Sequence, residues 1–247
     1  WGPLPFSGKN EKFMNLIFEM VEKSAFEAYE NRRDGNLYLG TIEVPDMQED
    51  IRTPIVYSKT LTRLRFVPDD GSQQTYIINF ASHSESLQGC NELVSADFPC
   101  YLREKILEET GAETLYCVGA IGGMISMDIP DEQEIRKNGN DFSESTKRIG
   151  RQLADYALSI KEADEILLES KIGSITQEVY FKAENSILLI AAKAGILKAK
   201  EFRFPDKSGF AMKSEISYFE IGSLKILMLP CEIFPELVYG GYLSAEE

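Results

Sequence analysis

The sequence predicts an α/β fold in which mixed β-sheets carry flanking helices, built as one domain from residue 1 to residue 247. Three observations point there. Apolar residues recur at the 3.6-residue helical period in Phe13, Leu16, Ile17, Met20, Val21 and Ala28, and again in Ile149, Leu153, Tyr156, Ala157 and Ile160. Short runs rich in β-branched and aromatic residues, such as Tyr76-Ile77-Ile78-Asn79-Phe80, alternate with those helical stretches. Polar turn residues separate neighbouring runs closely enough for hairpins, and a chain of 247 residues is long enough to bury a sizeable core.

In chain order, Ser7 or Asn10 caps the first helix, whose apolar stripe predicts packing on a core. Asn31 to Asn36 ends it as a polar turn, Leu37 to Val44 has strand character, and Pro45 to Pro54 reads as a charged loop. Lys59 to Val67 alternates as a half-exposed strand does, and Pro68-Asp69-Asp70-Gly71-Ser72 turns it into the Tyr76–Phe80 strand. Tyr101, Leu102, Lys105, Ile106 and Leu107 fit a helix stopped by Gly111. Thr114 to Ala120 reads as a short buried strand, and Gly119, Gly122 and Gly123 as a tight turn after it, since no phosphate-loop lysine follows.

Pro130 to Glu144 is acidic and polar, an exposed loop, and Ser145 begins the next helix. Ile166 to Leu168 and Ile172 to Tyr180 read as strands. Ser186 to Ala192 is apolar all round, helix or strand, buried in either case, with Gly195 as its stop. Ile216 to Ile221 and Leu224 to Leu229 flank Gly222-Ser223, a hairpin signal.

A formal charge of −14, from 40 acidic and 26 basic residues without a Lys/Arg block, argues against nucleic-acid partners, whose binding rests on phosphate neutralisation. It disfavours adsorption to anionic membranes as well. No apolar run reaches the roughly 18 residues of a membrane span, and none reads as a signal peptide. Cys90, Cys100, Cys117 and Cys231 lack Cys-x-x-Cys spacing; Cys117 and Cys231 sit in apolar strand-like runs as small hydrophobes, and a reduced, cytoplasmic setting is expected.

The one histidine, His83, stands just past the Tyr76–Phe80 strand. Strand ends in α/β proteins open onto ligand crevices, and neutral imidazole is a common zinc ligand. On spacing alone, a lone histidine reads first as a hydrogen-bonded structural residue.

The stretch Asn79-Phe80-Ala81-Ser82-His83-Ser84-Glu85-Ser86-Leu87, followed by a Ser95-Ala96-Asp97 segment leading into a helix, resembles the neutral (non-lysosomal) ceramidase family. Tyr116 to Ser126 is similar to that family's strand and Gly-Asp-Val-Ser turn, and Leu229-Pro230-Cys231-Glu232 to its Leu-Pro-Gly-Glu segment. The resemblance implies a layered sandwich and a zinc site with His83 and Glu232 as ligands. It implies that Arg52, in Arg52-Thr53-Pro54, faces the active site and steadies an oxyanion, although a solvated loop arginine is the plainer reading. Ser126 matches the serine of the turn and is its candidate catalytic hydroxyl, yet Met124 stands for the turn's aspartate, Met127 for its proline and Cys231 for the glycine before the glutamate. Asp97 is expected to orient His83 or the loop after it, or to cap the following helix.

The family also carries a Thr-His-x-His segment ahead of the region resembling Trp1-Gly2-Pro3, and a tyrosine ligand downstream of the glutamate. Neither has an obvious counterpart here, Tyr239 and Tyr242 being too near Glu232, and with Trp1 in place of a Met the chain reads as an internal piece of a longer polypeptide. The function so implied is a zinc-dependent amidohydrolase that cleaves the N-acyl amide of ceramide-like lipids. The alternatives are a non-catalytic module of the same architecture, or a metal-dependent amidase or esterase for another acylated substrate such as a sugar or cell-wall amide.

Overall fold

The computed structural model describes residues 10–182, 184–194, 202–203, 206 and 210–240. In chain order the elements are α1 (Glu11–Glu30), β1 (Gly35–Glu43), β2 (Gln48–Asp50), β3 (Thr60–Pro68), β4 (Thr75–Phe80), α2 (Phe98–Thr110), β5 (Glu113–Val118), β6 (Ile125–Met127), α3 (Glu132–Lys137), α4 (Ser143–Ser159), β7 (Ile166–Leu167), β8 (Ile172–Lys182), α5 (Ser186–Lys193), β9 (Phe202–Arg203), β10 (Phe210–Ile221), β11 (Leu224–Met228) and α6 (Pro235–Tyr239). The architecture is mixed α/β, and the chain divides into two compact units.

The larger unit takes residues 34–172, 221–224 and those from Cys231 onward. Its five-stranded sheet has the order β5-β4-β3-β1-β7. β1 and β3 pair antiparallel from Gly35 opposite Pro68 to Glu43 opposite Thr60, and β3 and β4 form the predicted hairpin. β4 and β5 are parallel. Parallel neighbours need a crossover, and α2 supplies it, ending at Gly111, whose φ of +73° is the left-handed conformation that glycine adopts without a Cβ clash. Phe98, Leu102 and Ile106 of α2 and Ile149, Leu153, Ala154 and Ala157 of α4 close over Leu61, Tyr76, Ile78 and Phe80 in one core.

The structure departs from the sequence reading where pairing decides burial. β3 is central, so its arginines, predicted on a half-exposed face, are buried: Arg63 is 3 % exposed and Arg65 7 %. Both pair with Glu165, Arg63 Nη2 at 2.8 Å and Arg65 Nη2 at 2.5 Å; Arg65 also reaches Glu162 at 3.2 Å, and Arg63 donates to the carbonyls of Ala157 and Ile160. β5, predicted buried, is an edge strand with most residues exposed. Within the predicted loop 45–54, β2 pairs antiparallel with β6, Glu49 opposite Ser126, and the predicted loop 130–144 contains α3. Cys117 and Cys231 are exposed, the first on that edge and the second after β11, and the four cysteines form no disulfide with one another.

The smaller unit takes residues up to Arg33, 173–220 and 225–230. Its sheet runs β11-β10-β8, with β9 against β10. Asn10 caps α1, its side chain accepting from Phe13 N; Ser7 and Gly195 lie outside the described residues. No residue of α1 is buried, contrary to the packing its apolar stripe predicts, and Ile187 and Ile190 of α5 are exposed as well. Periodicity reports which face is apolar, not what covers it. No helix among the described residues is long and apolar enough to cross a membrane.

Glu165 is a test of the larger unit's stability. Burial pushes its carboxyl up, but hydrogen bonds from Arg65 and Arg63 outweigh that and hold it below the ordinary value of 4.5. A carboxyl depressed in the folded state contributes stability that is present above about pH 4.5 and is lost as pH falls through the folded value. Glu165→Ala leaves Arg63 buried without a counter-charge and Arg65 with only the exposed Glu162 carboxylate at 3.2 Å, and is expected to destabilise the fold by about 3–5 kcal/mol at neutral pH, read by denaturant unfolding. A loss below about 1 kcal/mol would show the cluster to be peripheral to stability.

Candidate functional site

Beyond Phe80 the chain leaves the sheet with Ala81 and Ser82 buried, and the Gln48 side-chain amide donates to the Ala81 carbonyl. His83 then meets β6. Its backbone N–H donates to the Ile125 carbonyl at 3.0 Å, and its ring Nδ1 lies 2.7 Å from the same oxygen. A carbonyl only accepts, so Nδ1 carries the hydrogen. The opposite nitrogen, Nε2, faces Glu232 Oε2 at 3.4 Å. Two residues further, Glu85 accepts the Ser126 hydroxyl at 2.5 Å. Residues 83–85 therefore run alongside β6 and bring His83 and Ser126 into one neighbourhood.

Glu232 arrives through an uncommonly close backbone approach. Gly122 N donates to the Ile233 carbonyl at 2.8 Å, and a Cβ on Gly122 would stand 2.4 Å from the Glu232 carbonyl oxygen and 2.5 Å from the Ile233 carbonyl carbon. Only glycine fits there, which accounts for that position of the post-strand turn. Past this contact α6 begins, and Glu236 takes Arg52 Nη2 on both carboxylate oxygens, at 2.5 and 2.7 Å. Arg52 also lies over the Phe234 ring at 4.7 Å, and its backbone N–H donates to Asp50 Oδ1 at 3.0 Å. The Arg52 hydrogen bond holds the Glu236 carboxyl below the usual carboxylate range. Arg52 is thus an ion-paired, half-buried residue rather than a solvated one.

Asp97 performs both roles the sequence left open, short of touching His83. Its carboxylate accepts from Ser86 N at 2.9 Å, Ser86 Oγ at 2.6 Å and Leu87 N at 3.0 Å, and from Phe98 N at 2.8 Å at the start of α2. The residue is 5 % exposed and has φ +56° and ψ −152°, a backbone region disfavoured for any side chain but held here by those bonds.

Glu85, Glu236 and Asp50 were not singled out in the sequence. For Glu85 there was a signal: in an extended segment residues two apart share a face, so 85 follows 83. For Glu236 there was none, because its partner lies 184 positions away. Glu49, opposite Ser126, has its carboxyl pushed up by burial and by the neighbouring Asp128 and Glu132.

The His83–Glu232 pair suits zinc by donor type and by spacing. With metal–ligand bonds of about 2.0–2.1 Å, adjacent ligands of a tetrahedral ion stand about 3.3–3.4 Å apart; these two atoms are 3.4 Å apart. Two such donors would supply half of a four-coordinate set. Among the described residues no group of three or more His, Cys, Asp or Glu side chains converges to complete it; Tyr239 lies in α6 and Tyr242 lies outside the described residues.

No protein-family model and no curated protein sequence matches the chain. Solved structures do. Neutral ceramidase from Pseudomonas aeruginosa superposes with a TM-score of 0.65 at 17 % identity over 88 % of this chain and 43 % of that one. The fold is ceramidase-like. A ceramidase complexed with C2 gives a TM-score of 0.54 at 16 % identity over 79 % of this chain and 41 % of that one. The chain spans less than half the length of either ceramidase. The ceramidase-like fold thus carries His83 and Glu232 at the junction of β4, β6 and the segment before α6.

Two substitutions test this local construction. Asp97→Ala removes an acceptor shared by four donors and is expected to cost about 3 kcal/mol in chemical denaturation; a loss under about 0.5 kcal/mol contradicts its anchoring role. Gly122→Ala is expected to release the loop that carries Glu232, read as faster amide exchange across residues 233–236, and unchanged protection there would show that the contact is not needed.

Proposed function

We propose that the chain is part of the catalytic module of a zinc-dependent amidohydrolase that cleaves the N-acyl amide of a ceramide-like lipid. The observation that carries this reading is the 3.4 Å approach of His83 Nε2 to Glu232 Oε2 across 149 positions of sequence, with the histidine tautomer fixed by the Ile125 carbonyl. The ceramidase-like fold supports the substrate class, and the whole chain is taken as a single module with the remaining ligands supplied from outside it. The four unpaired cysteines are compatible with the reduced, cytoplasmic setting that belongs to the same proposal.

In this reading His83 and Glu232 hold the ion. When bound, zinc supplies Lewis acidity toward the amide carbonyl and a water acidic enough to ionise near neutral pH. The protein's own groups do the orienting. The Ile125 carbonyl keeps the Nε2 lone pair of His83 directed outward, and Asp97 fixes the loop that follows. Arg52, aimed by Asp50, Phe234 and Glu236, is placed to receive the carbonyl oxygen as negative charge develops on it, and Ser126 lines the same neighbourhood. The acyl chain needs an apolar slot; Phe80, Phe98, Ile121, Ile125 and Met127 are buried core residues, which leaves half-buried Leu87 and exposed Met124 as the candidates.

A second reading, a non-catalytic ceramidase-like module, is favoured by one observation: Glu236 already neutralises Arg52 and so competes with any substrate oxygen for it. Metal content separates the two. In the full-length protein, His83→Ala and Glu232→Ala are each expected to abolish stoichiometric zinc while circular dichroism stays unchanged. Retention of one zinc per chain in both variants would refute the ligand assignment. Turnover of N-acyl lipids that survives chelation would refute the metal mechanism, and turnover confined to N-acylated sugars would move the substrate class.

A further inference from the structure

Glu85 decides what Ser126 can recognise. A serine hydroxyl has one hydrogen to donate and two lone pairs to accept with. Here the hydrogen goes to Glu85 Oε1 at 2.5 Å, a separation typical of a hydroxyl donating to an ionised carboxylate. Across the β2–β6 ribbon the residue opposite Ser126 is Glu49, whose own neighbours are the acidic Asp128, just past β6, and Glu132, so the hydroxyl stands beside an acidic cluster. Ser126 Oγ is left with lone pairs only.

The frame that holds this arrangement is the one that holds His83. The Ile125 carbonyl takes both the backbone and the ring of His83, and Ser126 is the next residue. The hydroxyl is therefore placed one residue from the carbonyl that orients the proposed zinc ligand. An acceptor at that place cannot steady a developing oxyanion, because two lone-pair bearers repel. It matches a donor on the substrate.

We propose that Glu85 is a specificity-determining residue: by holding the Ser126 hydrogen it makes Ser126 an acceptor for the N–H of a secondary amide, and so selects amides that carry an N–H over N-alkylated amides and esters. This rests on the amidohydrolase reading given above. The Ser126–Glu85 pair is solvent-accessible in the free protein, and a substrate seated over it displaces water from it, so an analogue lacking the N–H leaves the Ser126 oxygen covered and unpaired.

The test uses the full-length protein with a secondary N-acyl amide, its N-methyl derivative and its ester isostere. Wild type is expected to favour the N–H amide in kcat/KM by about tenfold or more over the N-methyl amide, after the ester is used to correct for bulk. Glu85→Gln turns a pure acceptor into a group that can donate to Ser126, and Ser126→Ala removes the acceptor; both are expected to lose the preference with zinc content and circular dichroism unchanged. Equal treatment of the substrates by wild type, or a preference that survives in both variants, overturns the assignment. If none of the compounds is turned over, the amidohydrolase reading falls, and the ratio of their affinities measured by calorimetry on the same three proteins still decides the role of Glu85.

Discussion

A single backbone carbonyl, that of Ile125, sets the geometry on which the candidate site depends. It receives two donors from His83, one from the main chain and one from the ring, and the pair leaves the imidazole no freedom of tautomer and little of orientation. Because Ile125 belongs to β6, the ring is referenced to a strand rather than to a loop, and Ser126 inherits a defined place beside it. The loop after His83 would still swing if it were held at one end only. Asp97 fixes the other end through Ser86 and Leu87, in a backbone conformation that its own hydrogen bonds make tolerable.

The same unit manages buried charge by pairing across long sequence distances. Glu165 serves Arg63 and Arg65 in the middle of the sheet, and Glu236 serves Arg52 beside the site. Transfer of an isolated guanidinium out of water is far too costly to be sustained, so each cation is found with a carboxylate already in contact. The two cases differ in what they leave open. The Arg63 and Arg65 side chains are enclosed, whereas Arg52 keeps a partly exposed face over Phe234 and next to the Gly123 turn. Enclosure suits a structural cluster, and partial exposure suits a group that meets a ligand.

Elements whose signals are local were legible in the sequence. The hairpin between β3 and β4, the stop at Gly111, the helix read from Ser145 and found from Ser143, and the turn at Gly222-Ser223 each follow from a period of apolar residues or a turn residue that any partner would leave in force. Burial was less legible. Arg63 and Arg65 read on a half-exposed face and are buried because β3 lies between two neighbours, whereas the Thr114 to Ala120 stretch reads as buried but exposes Leu115, Cys117 and Val118 because β5 has a neighbour on one side only. Strand order is a long-range property and leaves no trace in the alternation of a single strand.

The site divides along the same line. The sequence by itself determined that the one histidine stands where a strand leaves a sheet and that a glutamate follows a later strand in the same manner, because residue type and apolar patterning are written in adjacent positions. Tertiary structure alone decided that these two meet at 3.4 Å, that Glu236 occupies Arg52 and that Glu85 takes the hydrogen of Ser126. Those contacts join residues between 41 and 184 positions apart, and hydrogen bonds and ion pairs act only over a few ångströms, so nothing short of the folded chain brings the partners within range.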